Sequence, residues 1–531
     1  MLALIPLGML LLGAGLMAAS LWPRFTALAG AFAITSATLA LLGLLVLAWW
    51  VPITVTVSDW SSTHLLPGSL QLQVAWEDWV LGVSVLSLML ATLLTGLARP
   101  GGRRAAPRAA IFLLTFSSLG AIFAHNLLTV ILAWAGFDLI YFFTLILLTR
   151  GPGVQPQAVL HLTFNSLGTL LALAASFFAP ASFYYALLIT LAAVFRMGLF
   201  PLHLGWPIEA NVRQGLGVLL RLLPATIALD AVANLTGLGF APDFAPWLTV
   251  FGLLTSVLGA AQFWINADAR QGLTFVVIAL SGLTLLAGVW GGPSARLSVF
   301  SLILALVLGG GLVFLAHGYD AQQNWTMLLQ GIGVASLVGL PTTVGFFGWQ
   351  HLLLQLYQAG QPFAWFTFGG VLLTLVLLGG GLWRCIFTVG EPVEGGPIGA
   401  SGYISGLSFL VLMTLALGLA WNSVAEAFAQ PLWGWAALIA DGNWVVFAAL
   451  LLAIGLSVGL WRWEGRFRGS AEGLSGAVQR LFQLNWLYRL GWRLFGFIAI
   501  LIDNLAQVLE GEGAIVWALV VVFTVFLLFA N

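Results

Sequence analysis

Four charged residues, Asp138, Arg196, Arg221 and Asp230, stand inside long apolar stretches, and with His203 they are the groups placed to do chemistry. An ionised side chain at hydrocarbon depth is expensive, so each is expected to face protein or water and to find a partner. Asp138 and Arg196 are the expected pair. Two chemistries are open to them. Asp138 could take up and release a proton with an affinity set by Arg196, or the two could form a permanent ion pair. An adjacent guanidinium holds a carboxylate in its ionised form, and arginine keeps its own proton to a pH above about 12, which favours the permanent pair. His203 follows Pro201 by two residues. It could relay protons near neutral pH or serve backbone carbonyls freed by the proline. His161 and His351 are single histidines in apolar runs and read as hydrogen-bonded core residues.

The elements that must position these groups follow from composition. Of 531 residues 61% are hydrophobic and only 7% charged, far too few charges to cover a water-soluble protein of this length. Apolar runs of about 20 residues, enough to cross ~30 Å of hydrocarbon, recur along the chain. The runs are continuous rather than alternating, so the expected fold is an all-α polytopic membrane protein with about 14–16 transmembrane helices. Spans are expected near 2–20, 25–51, 79–98, 109–124, 126–149, 158–179, 183–206, 214–235, 245–265, 272–290, 297–316, 329–357, 364–389, 404–425, 443–463 and 514–530. The first run, Leu2 to Ser20, lacks a basic start and a clean cleavage site and reads as a retained helix.

All 18 basic residues are arginine. The Arg-rich loop Arg99 to Arg104 with Arg108 is expected on the cytoplasmic side, which places the N-terminus outside and the polar loop 52–78, long enough for a small hairpin, outside as well. The segment 474–513 alternates Arg480, Arg489 and Arg493 with an apolar middle and then Asp503, Glu510 and Glu512. It is expected either to lie along the membrane surface or to form one more span. The single Cys385 excludes an intrachain disulfide, and no pattern supplies ligands for a metal, flavin, iron–sulfur cluster or nucleotide, so no cofactor is expected. Zero net charge gives no reason to expect a nucleic-acid partner.

The stretch Arg196-Met-Gly-Leu-Phe-Pro201-Leu-His203-Leu-Gly-Trp206-Pro207-Ile-Glu209-Ala210 breaks an apolar run with two prolines, as transporter helices do where they line a polar site. It resembles the discontinuous seventh helix of the antiporter-like subunits of the respiratory complex I superfamily, where a lysine is followed by proline five residues on and histidine two further. Asn126-Leu-Leu-Thr-Val-Ile-Leu-Ala-Trp134 resembles the start of that family's fifth helix, and Asp268-Ala-Arg270 the entry to its tenth. Gly339-Leu-Pro341-Thr-Thr343-Val-Gly345-Phe-Phe-Gly348 resembles its second broken helix. The resemblance implies two inverted five-helix repeats, 109–235 and 245–389, with broken helices at 183–206 and 329–357. These would be flanked by N-terminal helices in 1–108 and C-terminal helices in 404–531, the latter with a short lateral amphipathic segment.

The same resemblance implies a proton relay of one glutamate and several lysines, and this chain departs from it repeatedly. Ala135 stands where the family has glutamate, with Asp138 one turn on; Arg196 replaces the lysine of the broken helix; Arg221 stands near a family histidine or lysine; Gly310 and Trp349 occupy further titratable positions. The resemblance therefore implies a non-redox membrane-arm subunit of an NADH:quinone oxidoreductase-like or hydrogenase-like complex, in a bacterial or archaeal-type inner membrane. Its partners would be other membrane-arm subunits, and its own relay would be largely degenerate. A stand-alone or two-component carrier (a cation/proton antiporter or an inorganic-carbon uptake component) and a structural scaffold remain alternatives. The proton-pathway candidates are Asp138, Arg196, His203, Arg221 and Asp230, and the helix-breaking residues are Pro201, Pro207 and Pro341.

Overall fold

The computed structural model describes residues 4–21, 29–58, 69–98, 104–149, 154–180, 182–205, 214–238, 244–266, 269–317, 324–387, 396–428, 443–465, 476, 484–510 and 514–529. They form an all-α protein apart from one hairpin. Twelve of the described helices are long and apolar enough to cross a bilayer, and the protein is an integral membrane protein. Helices are the outcome because each such run must satisfy its own backbone in hydrocarbon.

The chain opens with α1 (Leu4–Ala19) and α2 (Ala29–Leu47). The polar loop that follows forms the antiparallel pair β1 (Ile53–Ser58) and β2 (Leu70–Val74), with Ile53 opposite Val74 and Val55 opposite Leu72. Then come α3 (Trp76–Thr95), α4 (Ala105–Ile122), α5 (Leu127–Leu148), α6 (Val154–Ala175), α7 (Phe183–Met197) and α8 (Gln214–Leu238). Next are α9 (Ala245–Ile265), α10 (Ala269–Trp290), α11 (Ala295–Leu304) and α12 (Gly311–Ala316), the last two joined by a π-helical stretch, Ala305–Gly310. After them stand α13 (Asn324–Leu337), α14 (Val344–Ala359), α15 (Pro362–Phe387), α16 (Gly396–Leu419), α17 (Trp421–Ala427) and α18 (Asn443–Arg462).

The order of elements repeats. In the run α4 to α8 the fourth member, α7, stops short and gives way to a 3-10 turn, Leu202–Gly205. In the run α9 to α15 the fourth member is divided into α13 and α14. Arg108, read from the sequence as part of a basic loop, is instead buried in the first turn of α4.

A second compact unit, Gly473–Asn531, contains α19 (Asn485–Glu510) and α20 (Ala514–Phe529). Within the segment 474–513, expected to be amphipathic, α19 forms a 26-residue amphipathic helix of about seven turns. Along it Arg489 and Arg493 lie one turn apart, with Trp492, Phe497 and Ile500 exposed.

The breaks carry the main structural cost, because each frees backbone groups away from water. The second break is closed by its neighbours. Trp349 donates its indole N–H to the Leu337 carbonyl at 2.9 Å, at the end of α13. Ser301 of α11 accepts from Gly348 N at 2.8 Å and donates to the Val344 carbonyl at 2.6 Å. Trp349→Phe leaves the Leu337 carbonyl without its donor and should destabilise the protein by about 1–3 kcal/mol. A lowered midpoint of thermal unfolding in detergent, with Trp349→Phe still able to accumulate in the membrane, is the expected result.

Candidate functional site

Asn126 starts the construction of the site. Its side chain accepts from Thr129 N at 2.9 Å as the N-cap of α5 and donates to the Ser69 carbonyl at 2.7 Å beside β2. The cap sets the register of α5, and Trp134, Asp138 and Tyr141 follow along its buried side. On α6 a polar stripe at helical spacing, His161, Asn165 and Thr169, meets them. On α7, Ser182 caps the start by accepting from Tyr185 N, and Gly198 ends the helix at φ 63°, a left-handed conformation that glycine takes without strain. Arg196 therefore lies in the last turn of α7, next to the break.

The pair expected from the charges is present. Arg196 Nη2 lies 2.7 Å from Asp138 Oδ1 and Nη1 lies 2.9 Å from Oδ2, a two-pronged ion pair between side chains that are each 3% exposed. Three further contacts hold the guanidinium. Nη1 donates to Thr169 Oγ1 at 3.0 Å and to the Asn165 carbonyl at 3.3 Å, and the Trp134 ring lies 4.4 Å from Cζ. Gly168 lets α6 and α7 approach this closely, since a Cβ there would stand 2.9 Å from the Ala192 carbonyl and 3.2 Å from Arg196 Cγ.

The polar set continues away from the pair. Asn165 Nδ2 lies 2.7 Å from His161 Nε2, and the His161 ring stacks on Tyr141 at 4.1 Å. Tyr141 donates its hydroxyl to the Leu220 carbonyl at 2.9 Å. That carbonyl has no helical donor because the residue four on, Pro224, has no N–H. Arg221, the next residue, is buried and donates Nε–H to Thr274 Oγ1 of α10 at 3.1 Å. Side chains from α5, α6, α7, α8 and α10 thus form one buried polar series.

The other sequence candidates lie elsewhere. His203 is fully buried in the 3-10 turn and stacks on Phe200 at 5.5 Å, and Phe200 N donates to Thr255 of α9. Asp230 is not part of the series. It is half-buried on α8, where its charged neighbours are Asp78, Arg296 and Glu77, and Arg296 is itself paired with Glu77 at 2.6 Å. Pro201 follows the end of α7 and Pro341 sits between α13 and α14. Pro207 and Glu209 lie outside the described residues. The sequence reading set His161 aside as a core histidine and passed over Tyr141, Asn165, Thr169 and Thr274. The four-residue spacing of His161, Asn165 and Thr169 is the signal that could have found α6.

Among the described residues, α9 to α15 hold no ion pair between two of their own helices. Gly310, at the position expected for a lysine, ends the π-helical stretch, is buried, and faces Leu222 and Leu306. Trp349, also at a titratable position of the family, is the donor that closes the second break. Among the described residues no cluster of His, Cys, Asp or Glu could hold a metal ion.

This architecture is shared with known membrane complexes. A chain of the Mrp complex from Dietzia sp. DQ12-45-1b superposes with a TM-score of 0.77 at 18% identity, covering 99% of this chain and 62% of that one. A chain of the membrane-bound sulfane sulfur reductase, an archaeal respiratory membrane complex, superposes at 0.71 and 16% identity, covering 99% of this chain and 100% of that one. In sequence, the chain is 26% identical over 226 residues to chloroplastic NAD(P)H-quinone oxidoreductase subunit 5 of Digitalis grandiflora, 35% of this chain and 30% of the relative. It is 31% identical over 190 residues to NADH-ubiquinone oxidoreductase chain 2 of Branchiostoma lanceolatum, 33% of this chain and 51% of the relative. The similarity therefore spans about a third to a half of the length of these relatives. No protein-family model matches the chain. Fold and local sequence point the same way: the chain shares its fold with these complex subunits and, over part of its length, is similar in sequence to membrane subunits of quinone oxidoreductases.

Breaking the buried pair strands a charge. Asp138→Asn alone should cost about 3–5 kcal/mol, whereas Asp138→Leu combined with Arg196→Met should recover at least half of that loss. Thermal unfolding of the purified variants in detergent checks the difference; equal losses in the single and double variants would mean the pair carries no coupling.

Proposed function

We propose that this chain is a non-redox, antiporter-like subunit in the membrane arm of a multisubunit respiratory-type complex, built on the two repeats 109–235 and 245–389, in a bacterial or archaeal-type inner membrane. NADH:quinone oxidoreductase-type complexes are the first expectation for the whole assembly. The observation that carries the reading is the bidentate Asp138–Arg196 pair beside the first broken helix, which keeps the place of the family's glutamate–lysine centre while using residues that cannot run a lysine relay. A degenerate relay in the second repeat is supported by Gly310 and Trp349 standing where the family has titratable side chains, with Trp349 instead donating to the Leu337 carbonyl.

The carrier alternative needs Asp138 to titrate during transport. Two guanidinium contacts and a threonine hydroxyl hold the carboxylate in one fixed arrangement that such a cycle would have to break and remake.

Mild-detergent purification of the native chain followed by mass spectrometry of co-migrating proteins tests the proposal. Membrane subunits of a quinone oxidoreductase or related respiratory complex should appear in fixed stoichiometry. Recovery of the chain alone, or with a single soluble partner, would overturn the membrane-arm reading in favour of the carrier.

A further inference from the structure

The lysine relay is gone and the Asp138–Arg196 pair is held by five polar contacts and an aromatic face, so neither member is suited to exchange a proton. We propose that His161 is the protonatable group of the first repeat, exchanging a proton beside the fixed pair, with the Asn165 amide turning over as it does so. The inference rests on reading the first repeat as the remnant of a proton pathway and assigns the group that works in it.

The geometry specifies the neutral state. An amide nitrogen can only donate, so the 2.7 Å contact from Asn165 Nδ2 makes His161 Nε2 the acceptor and puts the ring proton on Nδ1. An incoming proton adds to the Nε2 lone pair. The resulting N–H needs an acceptor, and rotation of the Asn165 amide by half a turn presents Oδ1 in place of Nδ2 without moving the backbone. Release reverses both steps. No bond other than N–H forms or breaks, and the charge of the Asp138–Arg196–His161 group alternates between zero and plus one.

The surroundings act on the imidazolium in opposite senses. The Tyr141 ring, 4.1 Å away and tilted by 28°, offers its face to a cation. Arg196, which donates to the Asn165 carbonyl, repels it, and Asp138 offsets that repulsion. The remaining titratable or charged groups on packed elements are Tyr141 itself, His203 in the turn Leu202–Gly205 against α6, and Arg221 beside Leu220 on α8. Tyr141 also ties the ring to the Leu220 carbonyl at the Pro224 gap, so the histidine sits where the polar series passes from α6 towards α8 and α10.

The test reconstitutes the purified native complex in liposomes containing a pH-sensitive dye and imposes a pH gradient. His161→Gln keeps a hydrogen-bonding amide at the position but cannot protonate. It should lower proton flux roughly tenfold or more, and Asn165→Leu should do the same. Wild-type flux with unchanged flux in His161→Gln overturns the inference and leaves the reading of the subunit intact. A wild-type complex no leakier than empty liposomes overturns the proton-pathway reading itself, and the inference with it. A second measurement is independent of flux: infrared pH titration with ring-labelled histidine, wild type against His161→Gln. A titrating imidazole band present in the wild type and missing from the variant supports the assignment; identical titrations overturn it. If both His161→Gln and His161→Asn fail to assemble, His161 is a packing residue and the proposal falls.

Discussion

In hydrocarbon a backbone carbonyl without a donor costs several kcal/mol, and this chain frees such carbonyls wherever it interrupts a helix. Much of the side-chain chemistry in the membrane interior answers that constraint. The Pro224 gap is met by Tyr141, the end of α13 by Trp349, and the start of α14 by Ser301. Arg384 does the same at the end of α9, donating to the carbonyls of Phe263, Trp264 and Asn266 while pairing with Glu464 at 2.7 Å. Each donor comes from another element, so satisfying the backbone also fastens helices to one another.

The two repeats meet the constraint with different residues, and the difference separates their chemistry. At the second break the donors that close the backbone are an indole and a hydroxyl, groups that carry no charge and exchange no proton near neutrality. Beside the first break stand a carboxylate, a guanidinium, a phenol and an imidazole from α5, α6 and α7, and a second guanidinium on α8 follows the carbonyl that the phenol closes. One architecture thus holds a half built round a buried ion pair and a half whose break is closed by neutral donors. Fold likeness to chains of the Mrp and sulfane sulfur reductase complexes establishes the frame, while the residues in the frame decide its chemistry.

Much was legible beforehand. The apolar runs marked the helices because length and hydropathy suffice to define a span. Pro201 and Pro341 marked the breaks because proline has no N–H to give. Asp138 and Arg196 marked the centre because two opposite charges in hydrocarbon must pair. The π-helical stretch Ala305–Gly310 was not legible, since nothing in an apolar, glycine-rich run announces where the backbone ladder slips by one residue. Asp230 misled for a related reason. Its place in an apolar run resembled that of Asp138, yet its neighbours are Glu77, Asp78 and Arg296, all distant in sequence.

What the sequence determined by itself is therefore the set of costs: which runs must be helical, where helices must break, and which charges must find partners. These depend on local composition and on the solvent. The partners were decided by tertiary structure alone. That Trp349 would close the second break, and that Asn165 would lie between His161 and Arg196, depend on distances across helices and on the closeness permitted by a single glycine, Gly168. A residue pattern states what a side chain needs; packing selects which neighbour supplies it.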